Sequence, residues 1–463
     1  MADYLPGARY FLLTHATQDR ERSMDVYKAR PEIDYDAFSP DNSNPDAKYG
    51  LPTEIRFCKS CVISNQRPNS AQEFSHTAQS LKTTTHIDDD GICDACRFAA
   101  EKNQETDWDE RDRQLRELCD RFRRDDGHYD CLVPGSGGKD SFYASHVLKE
   151  KYGMNPLTIT WAPHMYTEWG WENFQSWIHA GFDNYLFTPN GRVHRLLTRL
   201  AVENIFHPFQ PFMIGQKAFA PKIAAKLNIP LVFFGENEGE YGNPIDDTRK
   251  ATRSWDYFTM DDQSQVYLGG TSVEELQKEF GMTKGDLEAY MPVDPAKLHD
   301  TGVEVHFLGY YLRWHPQSNF YYAREKGGFR PSPERTPGTF TKFVSIDDKI
   351  DDFHYFTTFM KFGIGRATYE CCMDIRTDDI SREEAIHLVK KYDGEFPERF
   401  FEEILGYLSL PEKEFPVASQ MFEQPVMDRE YFEGLMDKFR SPHIWERDNG
   451  AWKLRKTVWE DAE

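Results

Sequence analysis

Six consecutive residues, Ser136-Gly137-Gly138-Lys139-Asp140-Ser141, have the types and order needed to hold a phosphate. Small residues after a strand let the main chain approach an anion without a side chain intervening. Their amides, at the start of a helix, form a nest for negative charge. Lys139 adds a point charge, and Ser136 or Ser141 adds hydroxyl donors. Asp140 directly after the lysine separates this loop from the Gly-x-x-x-x-Gly-Lys-Ser/Thr loop of NTPases, and it is no dinucleotide fingerprint either. The competing reading is a glycine turn that only joins strand to helix.

The second chemical signal is in the cysteines. Of eight, four form two Cys-x-x-Cys pairs, Cys58/Cys61 and Cys93/Cys96, separated by 31 residues that include His86 and the turn Asp88-Asp89-Asp90-Gly91. Two such turns complete a tetrahedral thiolate site of the kind zinc prefers, and a closed site of four sulfurs is structural. An iron–sulfur cluster or redox pairs are the other uses of this spacing. The remaining four, Cys119, Cys131, Cys371 and Cys372, read as ordinary buried thiols. Free thiols beside a thiolate metal site fit a reducing cytoplasm.

The elements that must position these groups follow from periodicity. A short apolar strand at 129–133 runs into the glycine turn, and helical spacing resumes from 139 to 152. Strands at 157–161, 185–187 and 229–234 alternate with helices at 169–181, 191–205 and 213–228. That alternation predicts a parallel sheet covered on both faces, with ligands beyond the carboxyl ends of the strands. Both glycine-containing turns, at 134–138 and at Gly235-Glu236-Asn237, lie at such ends. A charged helix is expected at 107–124, short helices at 272–280 and 284–290, and an aromatic segment of strand or mixed character at 303–314. Residues 345–463 read as helical, with Ser381 and Glu384 forming a capping box. Residues 1–50 read as an N-terminal arm and 51–104 as the cysteine module.

Composition bounds the rest. With 55 Lys plus Arg against 77 Asp plus Glu, the formal charge is −22, which argues against a general nucleic-acid binder. Aromatics at 14% supply enough apolar surface for a large core, against wholesale disorder. No apolar run is long enough to span a bilayer, and the first residues do not read as a secretory signal.

The loop resembles the pyrophosphate-binding Ser-Gly-Gly-x-Asp-Ser pattern of the ATP pyrophosphatase superfamily, which includes GMP synthetase, asparagine synthetase and the tRNA thiolases. More of the chain is similar to the N-acetyl sugar amidotransferase family of bacterial lipopolysaccharide and pseudaminic acid biosynthesis. The matching pieces are Phe57-Cys58-Lys59-Ser60-Cys61, Gly91-Ile92-Cys93-Asp94-Ala95-Cys96, Gly235-Glu236-Asn237 with Glu240-Tyr241-Gly242, and Leu308-Gly309-Tyr310-Tyr311 with Trp314. They continue with Asp347-Asp348-Lys349, His354-Tyr355, Lys361-Phe362-Gly363-Ile364-Gly365-Arg366-Ala367-Thr368 and Lys391-Tyr392-Asp393-Gly394. The resemblance covers roughly 52–410. It implies an α/β ATP pyrophosphatase domain at 105–344, an N-terminal four-cysteine zinc module and a mainly helical C-terminal region with the substrate signature.

The implied reaction converts a sugar acetamido group to an acetamidino group. The amide oxygen attacks the ATP α-phosphate, pyrophosphate leaves, ammonia adds to the carbon, and AMP departs with the former oxygen. ATP and Mg²⁺ are implied, with the loop, including Gly137, Gly138 and Lys139, on the β and γ phosphates and Asp140 positioning magnesium with Ser141. Gly235 would border the nucleotide. Glu236 fits deprotonation of the incoming nitrogen or a plain loop carboxylate, and Asn237 lies where magnesium, ribose or sugar is reached. Glu240 and Tyr241 are sugar contacts; Asp347 and Asp348 bind sugar hydroxyls or cap a helix. Lys361 and Arg366 suit a phosphate or carboxylate on the acceptor, against a plain surface role, and His354 exchanges a proton or orients a neighbour.

Nothing in the sequence reads as a glutaminase. Position 2 is Ala2, and no cysteine sits among small residues on a nucleophile elbow. The expected ammonia source is a separate glutaminase subunit, with a cyclase-like channel partner similar to the histidine-biosynthesis pair. The rival reading is a tRNA or sulfur-carrier thiolase, for which Cys119 or Cys131 would carry sulfur.

Overall fold

The computed structural model describes residues 30–70, 73–243, 249–260, 262–409 and 427–461. The expected arm is therefore described only from residue 30, and 410–426 of the expected helical tail lie outside the described residues.

The two cysteine pairs come first, and the second pair opens helix α1 (Asp94–Gln104). Helix α2 (Trp108–Phe122) follows, capped by Asp107, whose carboxylate accepts from the amides of Asp109 and Glu110. Its face of Leu115, Leu118 and Cys119 is buried.

Five parallel strands form the central sheet: β1 (Cys131–Pro134), β2 (Pro156–Trp161), β3 (Asn184–Phe187), β4 (Leu231–Phe234) and β5 (Glu304–Phe307). Their spatial order is β3-β2-β1-β4-β5. Leu132 pairs with Leu157 on one side and Val232 on the other. β2 is buried throughout and β1 and β4 nearly so, as strands covered on both faces must be. Helices α3 (Lys139–Glu150), α4 (Glu168–His179), α5 (Gly191–Ile205) and α6 (Gln210–Leu227) make the connections. The chain moves to one side of β1 and then returns to the other with β4. The loops after β1 and β4 therefore open side by side, at the switch point where open α/β sheets bind ligands.

The aromatic segment resolves into β5 and a single helical turn, Leu308–Tyr311. After helix α7 (Pro316–Gly327) the chain crosses back over the sheet. The strap at 345–349 is fastened to the segment after β2. Asp348 accepts from the His164 amide and His164 Nδ1, both at 2.7 Å, from the Met165 amide at 3.2 Å and from the Ile350 amide at 3.0 Å. The Thr167 amide donates to the Asp347 carbonyl at 3.1 Å. α4 can lie this close only because residue 170 is glycine: a Cβ there would meet Asp347 Cα at 2.5 Å.

Helices α8 (Asp351–Phe362), α9 (Arg366–Arg376) and α10 (Arg382–Tyr392) complete the cover, α10 with the expected capping box of Ser381 and Glu384. The mainly helical end also carries a hairpin that the sequence reading did not anticipate: Trp445–Asp448 and Ala451–Leu454 pair antiparallel. Asn449 and Gly450 both have positive φ, the requirement of a tight two-residue hairpin turn. Among the described residues no helix is long and apolar enough to cross a membrane.

One buried ion pair joins the cysteine module to the sheet. Lys102 Nζ on α1 donates to Glu240 Oε1 at 2.7 Å, with both side chains almost fully buried. Replacing Glu240 alone by Leu strands a buried ammonium and should cost about 3–5 kcal/mol of stability. The double change Lys102→Met with Glu240→Leu should recover most of that loss. Urea-denaturation midpoints check both; a single variant as stable as the parent would show that the pair does not hold this junction.

Candidate active site

A cavity of about 720 Å³ opens over the carboxyl ends of β1 and β4. Its floor is the loop 134–141. Gly137 has φ +88°, and a Cβ on it would lie 2.6 Å from Phe174 Cα, so only glycine fits between the loop and α4. The N-cap of α3 is Gly138, with no side-chain cap. The first amides of α3 thus lack an intrahelical partner and retain their donors for an anion. Ser141 Oγ donates to the Gly138 carbonyl at 3.0 Å, which holds the turn. Lys139 is ion-paired with Asp140, and Asn319 of α7 donates to the other Asp140 oxygen at 3.1 Å.

Carboxylates ring this floor. Glu236, on the loop after β4, takes a hydrogen bond from the Tyr241 hydroxyl. Burial and then repulsion from Asp140 push its carboxyl above the ordinary range. Two acids from two loops therefore face one another, an arrangement that a cation would relieve. Asp347 lies within hydrogen-bonding reach of Ser136, and burial pushes its carboxyl up to about 6.

α8 lies along the cavity. Asp351, His354, Thr358 and Lys361 line it at helical spacing, one face of one helix. Burial lowers His354 to about 4 and Lys361 to about 7. Lys361 Nζ donates to the Ile205 carbonyl at 2.7 Å. α9 adds two acids that sequence reasoning missed, Glu370 and Asp374. Glu370 Oε2 accepts from Thr339 at 2.6 Å and Thr341 at 2.7 Å, while its buried Oε1 has no partner. Burial lifts Asp374 to about 7. The signal was their i, i+4 spacing just beyond Thr368, on one face of the helix that the glycine signature opens.

Of the sequence-selected residues, Ser136, Gly138, Lys139, Asp140, Ser141, Gly235, Glu236, Tyr241, Asp347, Asp348, His354 and Lys361 line the cavity. Asp348 does so with its carboxylate committed to the strap. Three expected contacts are not among the residues that line the cavity, and their side chains are engaged elsewhere. Asn237 caps a short helical turn by accepting from the Gly239 amide at 2.8 Å, and Glu240 pairs with Lys102. Arg366 is buried against Asp351 at 3.2 Å and over the Tyr355 ring.

The four paired cysteines converge as well. Their sulfurs all lie within 4.8 Å of one another, with Cys61–Cys93 at 3.7 Å and Cys58–Cys96 at 4.0 Å. A tetrahedron of thiolates about one ion with bonds of about 2.3 Å has sulfurs about 3.8 Å apart. The group therefore fits a single metal ion. The amides of Ser60, Cys61 and Cys93 donate to Cys58 Sγ at 3.3–3.4 Å. Arg382 of α10 holds both knuckle carbonyls, donating to Cys61 O at 3.1 Å and Cys58 O at 3.3 Å.

The strap, α8–α10 and the terminal hairpin correspond to a known family. Residues 337–458 match the model described as "LPS biosynthesis protein WbpG-like, C-terminal domain". This segment of the chain is similar to that family, which supports the resemblance to the N-acetyl sugar amidotransferases. A stretch of 47 residues is 38% identical to the uncharacterized protein MJ1599 of Methanocaldococcus jannaschii; it is 10% of this chain and spans 17% of that relative's length. Among solved structures, the U34-tRNA thiolase NcsA from Methanococcus maripaludis, with its 4Fe-4S cluster, aligns over 68% of this chain and 89% of its own. The identity is 11% and the TM-score 0.27, too weak a likeness to carry an argument.

The sulfur geometry generates a direct test. Metal analysis of the purified chain should find about one ion per molecule. Cys58→Ser should lose the ion and lower the melting temperature by several degrees. A metal-free chain with an unchanged melting temperature would overturn the assignment.

Proposed function

We propose that the chain is an ATP-dependent amidotransferase that converts a sugar acetamido group to an acetamidino group in bacterial surface-polysaccharide or nonulosonic acid biosynthesis. The observation that carries this reading is a shared cavity. The loop 136–141 forms its floor, and the segment matching the lipopolysaccharide-biosynthesis family contributes Asp347, His354, Lys361 and Glu370 to its lining. A phosphate cradle and a sugar-pathway domain that enclose one space fit a reaction between a nucleotide and a sugar.

In this reading the free amides of the loop and Lys139 hold the β and γ phosphates of ATP and stabilise charge as pyrophosphate leaves. Asp140, with Ser141, would hold magnesium, which neutralises phosphate charge when bound. The acetamido oxygen attacks the α-phosphorus, giving an adenylated imidate. Ammonia adds to the imidate carbon, a proton is lost, and AMP carries away the original oxygen. In this reading Glu236, whose raised proton affinity and Tyr241 hydrogen bond support the role, would accept that proton. The four-cysteine site would hold structural zinc, and the chain would work in a cytoplasmic setting.

The ammonia reading rests on the thiols. All eight cysteines are buried, and burial pushes Cys119 up to about 12 and Cys131 well above the ordinary thiol range. Neither suits a glutaminase nucleophile or a sulfur carrier. This favours a separate glutaminase subunit, with or without a cyclase-like channel protein, over the thiolase reading.

Wild-type protein with ATP, magnesium and an acetamido sugar acceptor should release AMP and pyrophosphate. Asp140→Ala should cut that release by about 100-fold or more without changing the melting temperature appreciably. Chromatography of the nucleotides decides it: ADP and phosphate from the wild type would refute the assignment.

With ammonium salts, amidine formation should rise between about pH 7 and pH 9, as neutral ammonia replaces ammonium, until a protein group titrates. Glutamine should serve only after a glutaminase is added. Glutamate released by this chain alone would refute that division of labour.

A further inference from the structure

The loop occupies one end of the cavity. At the other end, three lysines and two histidines lie near a single carboxylate. Lys82 comes from the segment between the two cysteine pairs, Lys217 from α6, and Lys361 from the last turn of α8. His76 and His207 stand among them with ring centroids 6.1 Å apart, and His207 stacks at 5.3 Å on His354, which leads back along α8 toward the loop. The carboxylate is Glu73, 3.6 Å from His76 Nδ1. A chain of net charge −22 thus encloses a pocket end where cations outnumber acids.

We propose that this end is a separate oxyanion site that takes the phosphate or carboxylate of the acceptor sugar. The inference rests on the reading of the acceptor as an acetamido sugar and specifies what else that sugar must carry.

Three observations support it. First, the cations are not matched internally. Among the described residues neither Lys82 nor Lys217 makes a direct ion pair or a side-chain hydrogen bond, and Lys361 has only the Ile205 carbonyl. Burial lowers the proton affinity of all three lysines. Unpaired ammonium groups in such a place are costly unless an anion arrives. Second, Glu73 is already engaged. Burial would raise its carboxyl, yet His76 and Lys217 hold it well below the ordinary range. One carboxylate cannot balance three lysines.

Third, this end is distant from the loop. α8 serves as a ruler: Asp351 and Lys361 are ten residues apart, about 15 Å along the helix axis. Asp347, just before α8, reaches Ser136, whereas Lys361 reaches the lysine cluster. The charged neighbours of Lys139 are Asp140, Glu236, Glu370 and Asp374. Those of Lys361 are Lys82 and Glu73. Two sets of donors at two ends fit two anions, the nucleotide's phosphates and an acidic group on the other substrate.

Calorimetry with an ATP analogue and magnesium present tests this on the full chain. The probes are N-acetylglucosamine, which is neutral; N-acetylneuraminate, a carboxylate; and UDP-N-acetylglucosamine, a diphosphate. At least one acidic probe should bind at least about tenfold more tightly than the neutral one, and which of them does so identifies the oxyanion. Lys82→Gln with Lys217→Gln should remove that advantage while leaving the analogue's affinity within about twofold, and Lys82→Arg should retain it. Equal binding of neutral and acidic probes, binding of none, or lysine variants that lose the nucleotide instead would overturn the inference. Tight, lysine-dependent binding of an acid that yields no amidine when ATP replaces the analogue and ammonia is supplied would leave the oxyanion site standing and count against the amidotransferase reading.

Discussion

The site depends on the four hydrogen bonds accepted by one carboxylate, Asp348. Its two oxygens take the amides of His164, Met165 and Ile350 and the His164 ring nitrogen. The first two belong to the segment leaving β2, and Ile350 leads into α8. A buried carboxylate with this many donors is strongly fixed, because any lost donor leaves charge without solvation. The strap is consequently pinned at the sheet's carboxyl edge. Asp347 is then held at Ser136, and α8 must run from the loop outward along the cavity.

That geometry explains how two chemically different walls come to share one space. The sheet provides backbone donors, because the loop after β1 opens into an uncapped helix. The C-terminal helices provide side chains, because one face of α8 and one of α9 present acids, a histidine and a lysine at helical spacing. Most of the acids lie toward the loop, and the lysines other than Lys139 lie away from it, around Glu73. The charge of the cavity is graded along the direction of α8, so a ligand that carries charge at both ends would be oriented by it.

The sequence made the sheet legible because parallel strands buried on both faces read as short apolar runs punctuated by glycine. The strand and helix positions from 129 to 234 differ from the structure by a few residues at their ends. The loop and the cysteine pairs were legible because their spacing is local. The failures were of another kind. Glu240, Asn237 and Arg366 lie within segments that resemble a family signature, and nothing local distinguishes a cavity contact from a support one helical turn away. Glu240 is fixed by Lys102, 138 residues distant, and Arg366 by Asp351 across a helix–helix junction. The basic end was legible only through Lys361, because Lys82, Lys217 and His207 come from three segments that the sequence gives no reason to join. The hairpin near the C-terminus did carry a local signal, Asn449-Gly450, which the surrounding aromatic and charged residues obscured.

The acidity of the chain bears on how such a cavity would select its ligands. Mobile ions screen exposed charges beyond about 8 Å at physiological ionic strength. The surplus carboxylates on the surface therefore act weakly inside the cavity, whereas the enclosed lysines and the loop amides act at short range in a poorer dielectric. A polyanion gains little from long-range attraction to this surface and gains strongly once inside. Recognition of negative charge is thereby confined to ligands whose shape lets them enter.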